Sequence, residues 1–161
     1  MEVQNILNDE EIENLNNSVC LVKVGGARNS SFIQDRMRNE INLSKLDASL
    51  ILQRELAFEG RKILNSTSSW YNRISELSRL VNENWRIKKS FGSFDDSESD
   101  TLINLGLRHG ALAGKLCGAG DSGYILFLCH QEQLEEFKKK FTSYQIQPFK
   151  FINTGIHIYD I

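Results

Sequence analysis

Gly114-Lys115-Leu116-Cys117-Gly118-Ala119-Gly120-Asp121-Ser122-Gly123-Tyr124-Ile125-Leu126-Phe127-Leu128 is the stretch whose reading decides the fold. It spells a strand, a glycine-rich turn and a second strand that is apolar almost throughout. Glycines at 118, 120 and 123 permit φ > 0 and put no Cβ in the way of a ligand. Consecutive backbone N–H groups in such a turn can form an anion-binding concavity. A tight bend uses the same residues for purely geometric reasons, so the surrounding sequence has to decide between the two.

Downstream, Tyr124–Cys129 reads as a buried strand. Gln131–Ser143 is an amphipathic helix with Leu134, Phe137 and Phe141 inward. Its outer charges form a solvated face with i, i+4 pairs, Glu135 to Lys139 and Glu136 to Lys140. Gln145–Ile152 and Ile156–Ile161 read as strands around the turn Asn153-Thr154-Gly155, and His157, alternating with Ile156 and Ile158, reads as structural.

Upstream, Ser99–His109 is a short helix with Leu102 and Leu105 inward, ended by Gly110. Asp95-Asp96-Ser97-Glu98 offers it an acidic N-cap with a carboxylate three residues on, after a loop at Phe91–Phe94. His109 reads as a helix-end residue near the carbonyls, with no second ligand at metal-binding spacing. Leu43 to Leu64 has helical spacing, with Leu43, Leu46, Leu50 and Ala57 on one stripe and Leu52, Leu56 and Ile63 beside it. Asn65–Ser69 is a turn rich in N-cap candidates. The next helix carries the ladder Ile74, Leu77, Val81, Asn84/Trp85 and Lys88. Two long helices joined by a short turn predict an antiparallel helical hairpin. Ser18–Val24 is rich in β-branched residues and reads as a strand. Gly25-Gly26-Ala27-Arg28-Asn29-Ser30-Ser31 breaks it, with Asn29 or Ser30 able to cap a following helix. Residues 1–17 read as a loose lead-in with weak helical signal.

Strand, helices, strand, strand, helix, strand is the order of an α+β, ferredoxin-like split βαβ sandwich, here with an inserted long helical hairpin and an extra C-terminal strand. The 161 residues suit one domain with a real core. A net charge of −2 disfavours a dedicated nucleic-acid binder. No apolar run approaches the roughly 20 residues of a membrane span. Met1 to Asn17 is acidic and Asn-rich, without the basic-then-apolar order of a signal peptide. Three cysteines, Cys20, Cys117 and Cys129, lie in apolar strand-like runs. That pattern predicts reduced thiols in a cytoplasm and neither disulfides nor a metal site.

Gly-Lys-Leu-Cys-Gly-Ala-Gly-Asp-Ser-Gly-Tyr at 114–124 resembles the third conserved motif of the GHMP kinases, Lys-Leu-x-Gly-Ala-Gly-Gly-Gly-Gly. The flanks are similar to the branch of sugar-phosphate kinases that includes D-glycero-D-manno-heptose 7-phosphate kinase. Glu83-Asn84-Trp85-Arg86-Ile87-Lys88-Lys89-Ser90 resembles a Glu-Asn-Trp-x-x-Lys-Lys-Ser segment of that branch, and the turn with Arg28 resembles its Gly-x-x-Arg-x-Ala/Ser turn. The resemblance covers residues 18–161 and implies the C-terminal domain of such a kinase. It places Gly118, Ala119, Gly120, Asp121, Ser122 and Gly123 at the nucleotide phosphates, and Arg28, Asn84 and Lys88 at the sugar phosphate. For each of the three there is a plainer alternative: a solvated loop arginine at 28, and basic residues favoured at a helix C-terminus by the macrodipole at 84–89.

The resemblance also implies an N-terminal domain with a Pro-x-x-x-Gly-Leu-Gly/Ser-Ser-Ser-type phosphate loop and the catalytic residues. No such segment occurs here, and the one proline is Pro148. The expectation is therefore a kinase half, inactive alone, with no catalytic or metal residue of its own. ATP and Mg²⁺ would enter only with the N-terminal domain, in cis or in trans. The competing reading is a non-catalytic ferredoxin-like interaction module. Asp121 departs from the family's glycine run and beside phosphates would be repelled; it can point away and cap the turn through its own backbone, the favoured outcome, or reach the Mg²⁺ that accompanies the nucleotide, or mark a site that no longer receives one.

Overall fold

The structure, a computed structural model, describes residues 6–25, 43–90, 97–120 and 122–153. Among the described residues five helices and four strands follow in the order α1 (Asp9–Asn16), β1 (Val19–Val24), α2 (Leu43–Leu64), α3 (Trp70–Lys89), α4 (Glu98–Arg108), β2 (Ala113–Gly120), β3 (Ser122–Leu128), α5 (Gln131–Lys140) and β4 (Ile146–Gln147). The sheet order is β2-β3-β1-β4 with every neighbouring pair antiparallel. This is the split βαβ plan the element order predicts, with the α2–α3 hairpin inserted before α4. The turn carrying Arg28, Asn29 and Ser30, the 91–94 loop, Asp121 and the strand expected at Ile156–Ile161 with His157 lie outside the described residues.

Successive strand residues face opposite sides of the sheet, and the core divides accordingly. On one side Cys20, Val22 and Val24 of β1, Leu116 of β2, and Ile125 and Phe127 of β3 pack against Leu102 and Ile103 of α4 and against Leu134 and Phe137 of α5, with Phe141 just beyond. On the other side Val19, Ala113 and Leu128 meet Leu15 of α1, Leu77 and Val81 of α3, and Phe149.

The N-terminal lead-in is not loose from residue 9 onward. Asn8 and Glu11 form a reciprocal capping box: Asn8 Oδ1 accepts from Glu11 N at 2.9 Å and Glu11 Oε2 accepts from Asn8 N at 3.0 Å. Arg73 then ties this helix to the helical hairpin. It donates to Glu11 Oε1 at 2.6 Å, to Leu64 O at 3.2 Å and to Ser68 O at 3.0 Å, with its guanidinium 5.5 Å from the Trp70 ring centroid. The bond from Arg73 holds the Glu11 carboxyl below its ordinary range.

Other boundaries shift for local reasons. α2 runs as expected, but Leu50 and Leu52 are 50% and 45% exposed and Ala57 is exposed too, because the described part of the helix packs chiefly on α3 and buries only a narrow stripe ending at Ile63. α4 is capped by the Ser97 hydroxyl, which accepts from Asp100 N at 3.1 Å, and Asp95 and Asp96 lie outside the described residues. On α5 the ion pairs close at i, i+3: Glu135–Lys138 at 2.7 Å and Glu136–Lys139 at 3.8 Å. The strand expected over Gln145–Ile152 is paired only at Ile146–Gln147. Pro148 lacks an N–H for the ladder, and the Asn16 side chain takes the Phe151 peptide, accepting from its N–H at 2.7 Å and donating to its carbonyl at 3.2 Å.

Phe127, fully buried, reaches into the gap left by two glycines. A Cβ on Gly106 of α4 would stand 2.2 Å from its ring, and one on Gly114 of β2 2.9 Å. The ring is held by Phe137 and Phe141, with centroids 5.1 and 5.6 Å away, so it cannot swing aside. Gly106→Ala is expected to lower stability by about 1–3 kcal/mol, read as a fall in the denaturant midpoint. An unchanged midpoint would show that the α4–sheet contact is looser than this packing.

Burial pushes the Cys20 thiol up to about 11 and the Cys129 thiol up to about 12. Both groups stay protonated in the fold after the unfolded chain has lost their protons, so stability is full below pH about 9 and declines as pH rises towards 11. Native-state alkylation at pH 8 is expected to modify Cys117, which is half-exposed, and to spare Cys20 and Cys129 until denaturant is added. Equal labelling of all three would contradict the burial.

Candidate functional site

The glycine stretch forms the β2–β3 hairpin, and its glycines are used for geometry the ladder requires. Cys117 pairs with Tyr124 and Gly120 with Ser122, so two residues, 118 and 119, stand opposite the single Gly123. This is a bulge, which bends the strand and leaves backbone groups outside the ladder. Gly118 has φ 88° and Gly123 φ 134°, values that disfavour any side chain. Among the described residues nothing lies within 4 Å of where a Gly118 Cβ would be.

Helix α3 lies along β2 and is stitched to it by polar side chains. Asn82 donates to Leu112 O at 2.9 Å and accepts from Gly114 N at 3.4 Å. Lys115 Nζ donates to Asn84 Oδ1 at 2.5 Å. One turn further, Lys88 Nζ donates to Gly118 O at 2.6 Å and to Leu116 O at 3.3 Å. The end of α3 is fixed in turn from α4: Asp100 accepts from Trp85 Nε1 at 3.2 Å and pairs with Lys89 at 3.0 Å. Of the residues the sequence selects for a phosphate, Lys88 meets the selected glycine turn at Gly118, while Asn84, one turn back on α3, holds Lys115 of β2. Arg28 and Asp121 lie outside the described residues, and so do the side chains of Ala119 and Ser122.

Strand register adds further groups to this face. Leu116 points into the core, so its neighbours Lys115 and Cys117 point to the α3 side. Register then brings Tyr124, opposite Cys117, and Lys23, opposite Tyr124, onto the same face. Tyr124 Oη lies 3.4 Å from Gln147 Oε1. Lys115 was legible as the lysine of the glycine motif. Lys23 joins the face only through strand pairing with no sequence signature.

Lys88 is half-buried, and its pKa is lowered first by burial and then by the positive charge of Lys115, partly offset by the neighbouring Cys117. Among the described residues no group of three His, Cys, Asp or Glu stands together to hold a metal.

The sequence matches the family of GHMP kinases, C terminal, over residues 63–146, more than half of the chain. The chain belongs to that family. The match spans α3, α4, the glycine hairpin and α5, the elements that build the site. Among solved structures, this GHMP kinase C-terminal domain is similar to a mevalonate kinase, at 17% identity and a TM-score of 0.63, covering 88% of this chain and 41% of that one. It is also similar to a D-glycero-D-manno-heptose 1-phosphate kinase from Bacteriodes thetaiotaomicron, at 21% identity and a TM-score of 0.54, covering 98% and 42%. A third is the mevalonate kinase of Methanococcus jannaschii, at 18% identity and a TM-score of 0.56, covering 91% and 44%. Such likenesses establish the fold. The chain spans about two fifths of the length of these relatives. No significant match is found among curated protein sequences.

With its ammonium on the Gly118 carbonyl, Lys88 holds the hairpin to the end of α3. Lys88→Met is expected to speed amide hydrogen exchange at 117–120 by about fivefold, the loss of roughly one hydrogen bond, with Lys88→Arg intermediate. Exchange in α5 should not change. Unaltered hairpin exchange in Lys88→Met would show that Lys88 does not hold the turn.

Proposed function

We propose that this chain is the C-terminal half of a sugar or sugar-phosphate kinase, similar to the heptose 7-phosphate kinases, and that it is inactive alone. In the assembled enzyme the ATP γ-phosphoryl group passes to a carbohydrate hydroxyl. The observation that carries the reading is the meeting of Lys88 and Lys115 at the bulged glycine hairpin, within a chain of this family. Phosphoryl transfer rests on positioning phosphates and neutralising their charge, and this face offers cations and free backbone for that task. Gly118 to Gly123 would border the nucleotide phosphates, with Arg28, Asn84 and Lys88 towards the sugar phosphate. The site residues fit phosphate better than metal. Mg²⁺, which ATP would bring, would rest on the phosphates and on the N-terminal domain.

The segment 83–90 supports a sugar phosphate over an uncharged acceptor, since an anionic acceptor gives the paired lysines a second partner. Reduced, buried thiols at Cys20 and Cys129 suit a cytoplasmic enzyme. One feature supports the other reading, an interaction module. Leu50, Ile51, Leu52 and Phe58 leave an apolar surface on α2, each at least 45% exposed.

The deciding experiment is twofold. Incubated with ATP, Mg²⁺ and D-glycero-D-manno-heptose 7-phosphate, the purified chain is expected to give no turnover above background; a rate on the order of 1 per second or more would refute inactivity alone. Titrated with ATP, the ¹⁵N-labelled chain is expected to show saturable shifts at the amides of 117–123. If ATP moves no hairpin amide, the interaction-module reading replaces the kinase half.

A further inference from the structure

The sheet edge away from the glycine hairpin contains a second concavity, and strand register explains it. Cys129 N donates to Ser18 O at 2.9 Å, which assigns the even-numbered peptides of β1 to β3. Lys23 N donates to Gln145 O at 2.8 Å, which assigns the odd-numbered ones to β4. Lys23 faces Gln145, Leu21 faces Gln147, and Val19 would face Phe149 next. The ladder ends before that pair. Pro148 has no N–H to continue it, and the clasp of Asn16 on the Phe151 peptide draws the chain off the edge. The Val19 peptide is left with its N–H and C=O turned towards an edge that has no strand opposite among the described residues.

At this point lies a cavity of about 340 Å³, within the range of small-molecule sites, roughly 300–1,000 Å³. Val19, Leu21, Ile146 and Phe149 give it an apolar lining, and Lys138, Lys150 and Glu13 are its charged groups. Lys138 is paired with Glu135 at 2.7 Å, and Glu13 accepts from Asn17 at 3.4 Å. Lys150 is exposed and carries no ion pair among the described residues. Val19 pairs with Leu128, whereas the hairpin meets β1 at Val24, about 17 Å along the strand. The two sites are separate.

We infer that this cavity is a second ligand site, for a small molecule that combines an amide, an apolar branch and a carboxylate. The amide takes the place of the missing strand residue, exchanging hydrogen bonds with the Val19 peptide as an added strand does. The apolar branch lies against Leu21, Ile146 and Phe149, and the carboxylate meets Lys150. No bond is made or broken. The inference is independent of the kinase reading, because it uses none of the hairpin groups.

The probe is N-acetyl-L-leucine, titrated into the ¹⁵N-labelled full chain. Saturable shifts are expected at the Val19, Leu21 and Phe149 amides, with residues 114–124 unmoved. The methyl ester of the probe, and separately the Lys150→Glu variant, are each expected to bind roughly threefold or more weakly, the size of an exposed ion pair. Lys150 is exposed, so this variant should fold like the parent, which its hairpin resonances will report. The absence of saturable shifts up to on the order of 10 mM, or shifts centred on the hairpin, would overturn the inference. Equal binding of acid and ester would overturn the assignment of the carboxylate to Lys150.

Discussion

The insertion of Phe127 between Gly106 and Gly114 is the contact on which the geometry of this domain depends. A bulky ring on the central strand pair, facing two positions without a Cβ, lets α4 approach the sheet more closely than side chains would otherwise allow. α4 so placed puts Asp100 beside Trp85 and Lys89, and this anchors the end of α3. Only then does Lys88 stand over the β2 arm of the hairpin, close enough to donate to Gly118. A packing event on one face of the sheet thus sets the position of a charge on the other.

That charge sits where solvation is incomplete and another cation is near. Lys88 and Lys115 are each satisfied by a protein oxygen, the carbonyls of Gly118 and Leu116 for one and the Asn84 amide for the other. These bonds orient the two ammonium groups along the β2 arm of the hairpin.

The two long helices divide their tasks. α3 contributes Asn82, Asn84 and Lys88 to contacts with β2 and its flank, and its apolar stripe to the core. α2 packs on α3 and leaves Leu50, Ile51, Leu52 and Phe58 outward.

Much of this was determined by the sequence alone. The order of strands and helices follows from hydrophobic period, and the glycine run marks the hairpin, because these signals are local and each residue carries its own share. The ladder from Ile74 to Lys88 likewise announced that α3 ends in polar contacts. Other features depended on partners far along the chain. Pro148 and the clasp by Asn16, 135 residues from Phe151, shortened β4 to two residues. Arg73 and the Asn8–Glu11 box made a docked helix of the expected lead-in. The exposure of Leu50 and Leu52 reflects how few neighbours α2 finds, which periodicity does not encode. Lys23 and Tyr124 join the candidate site through strand register, and that Lys88 meets Gly118 is decided by how α3 crosses β2. Periodicity specifies which face of an element is apolar; which polar groups meet across that face is fixed only when the elements pack.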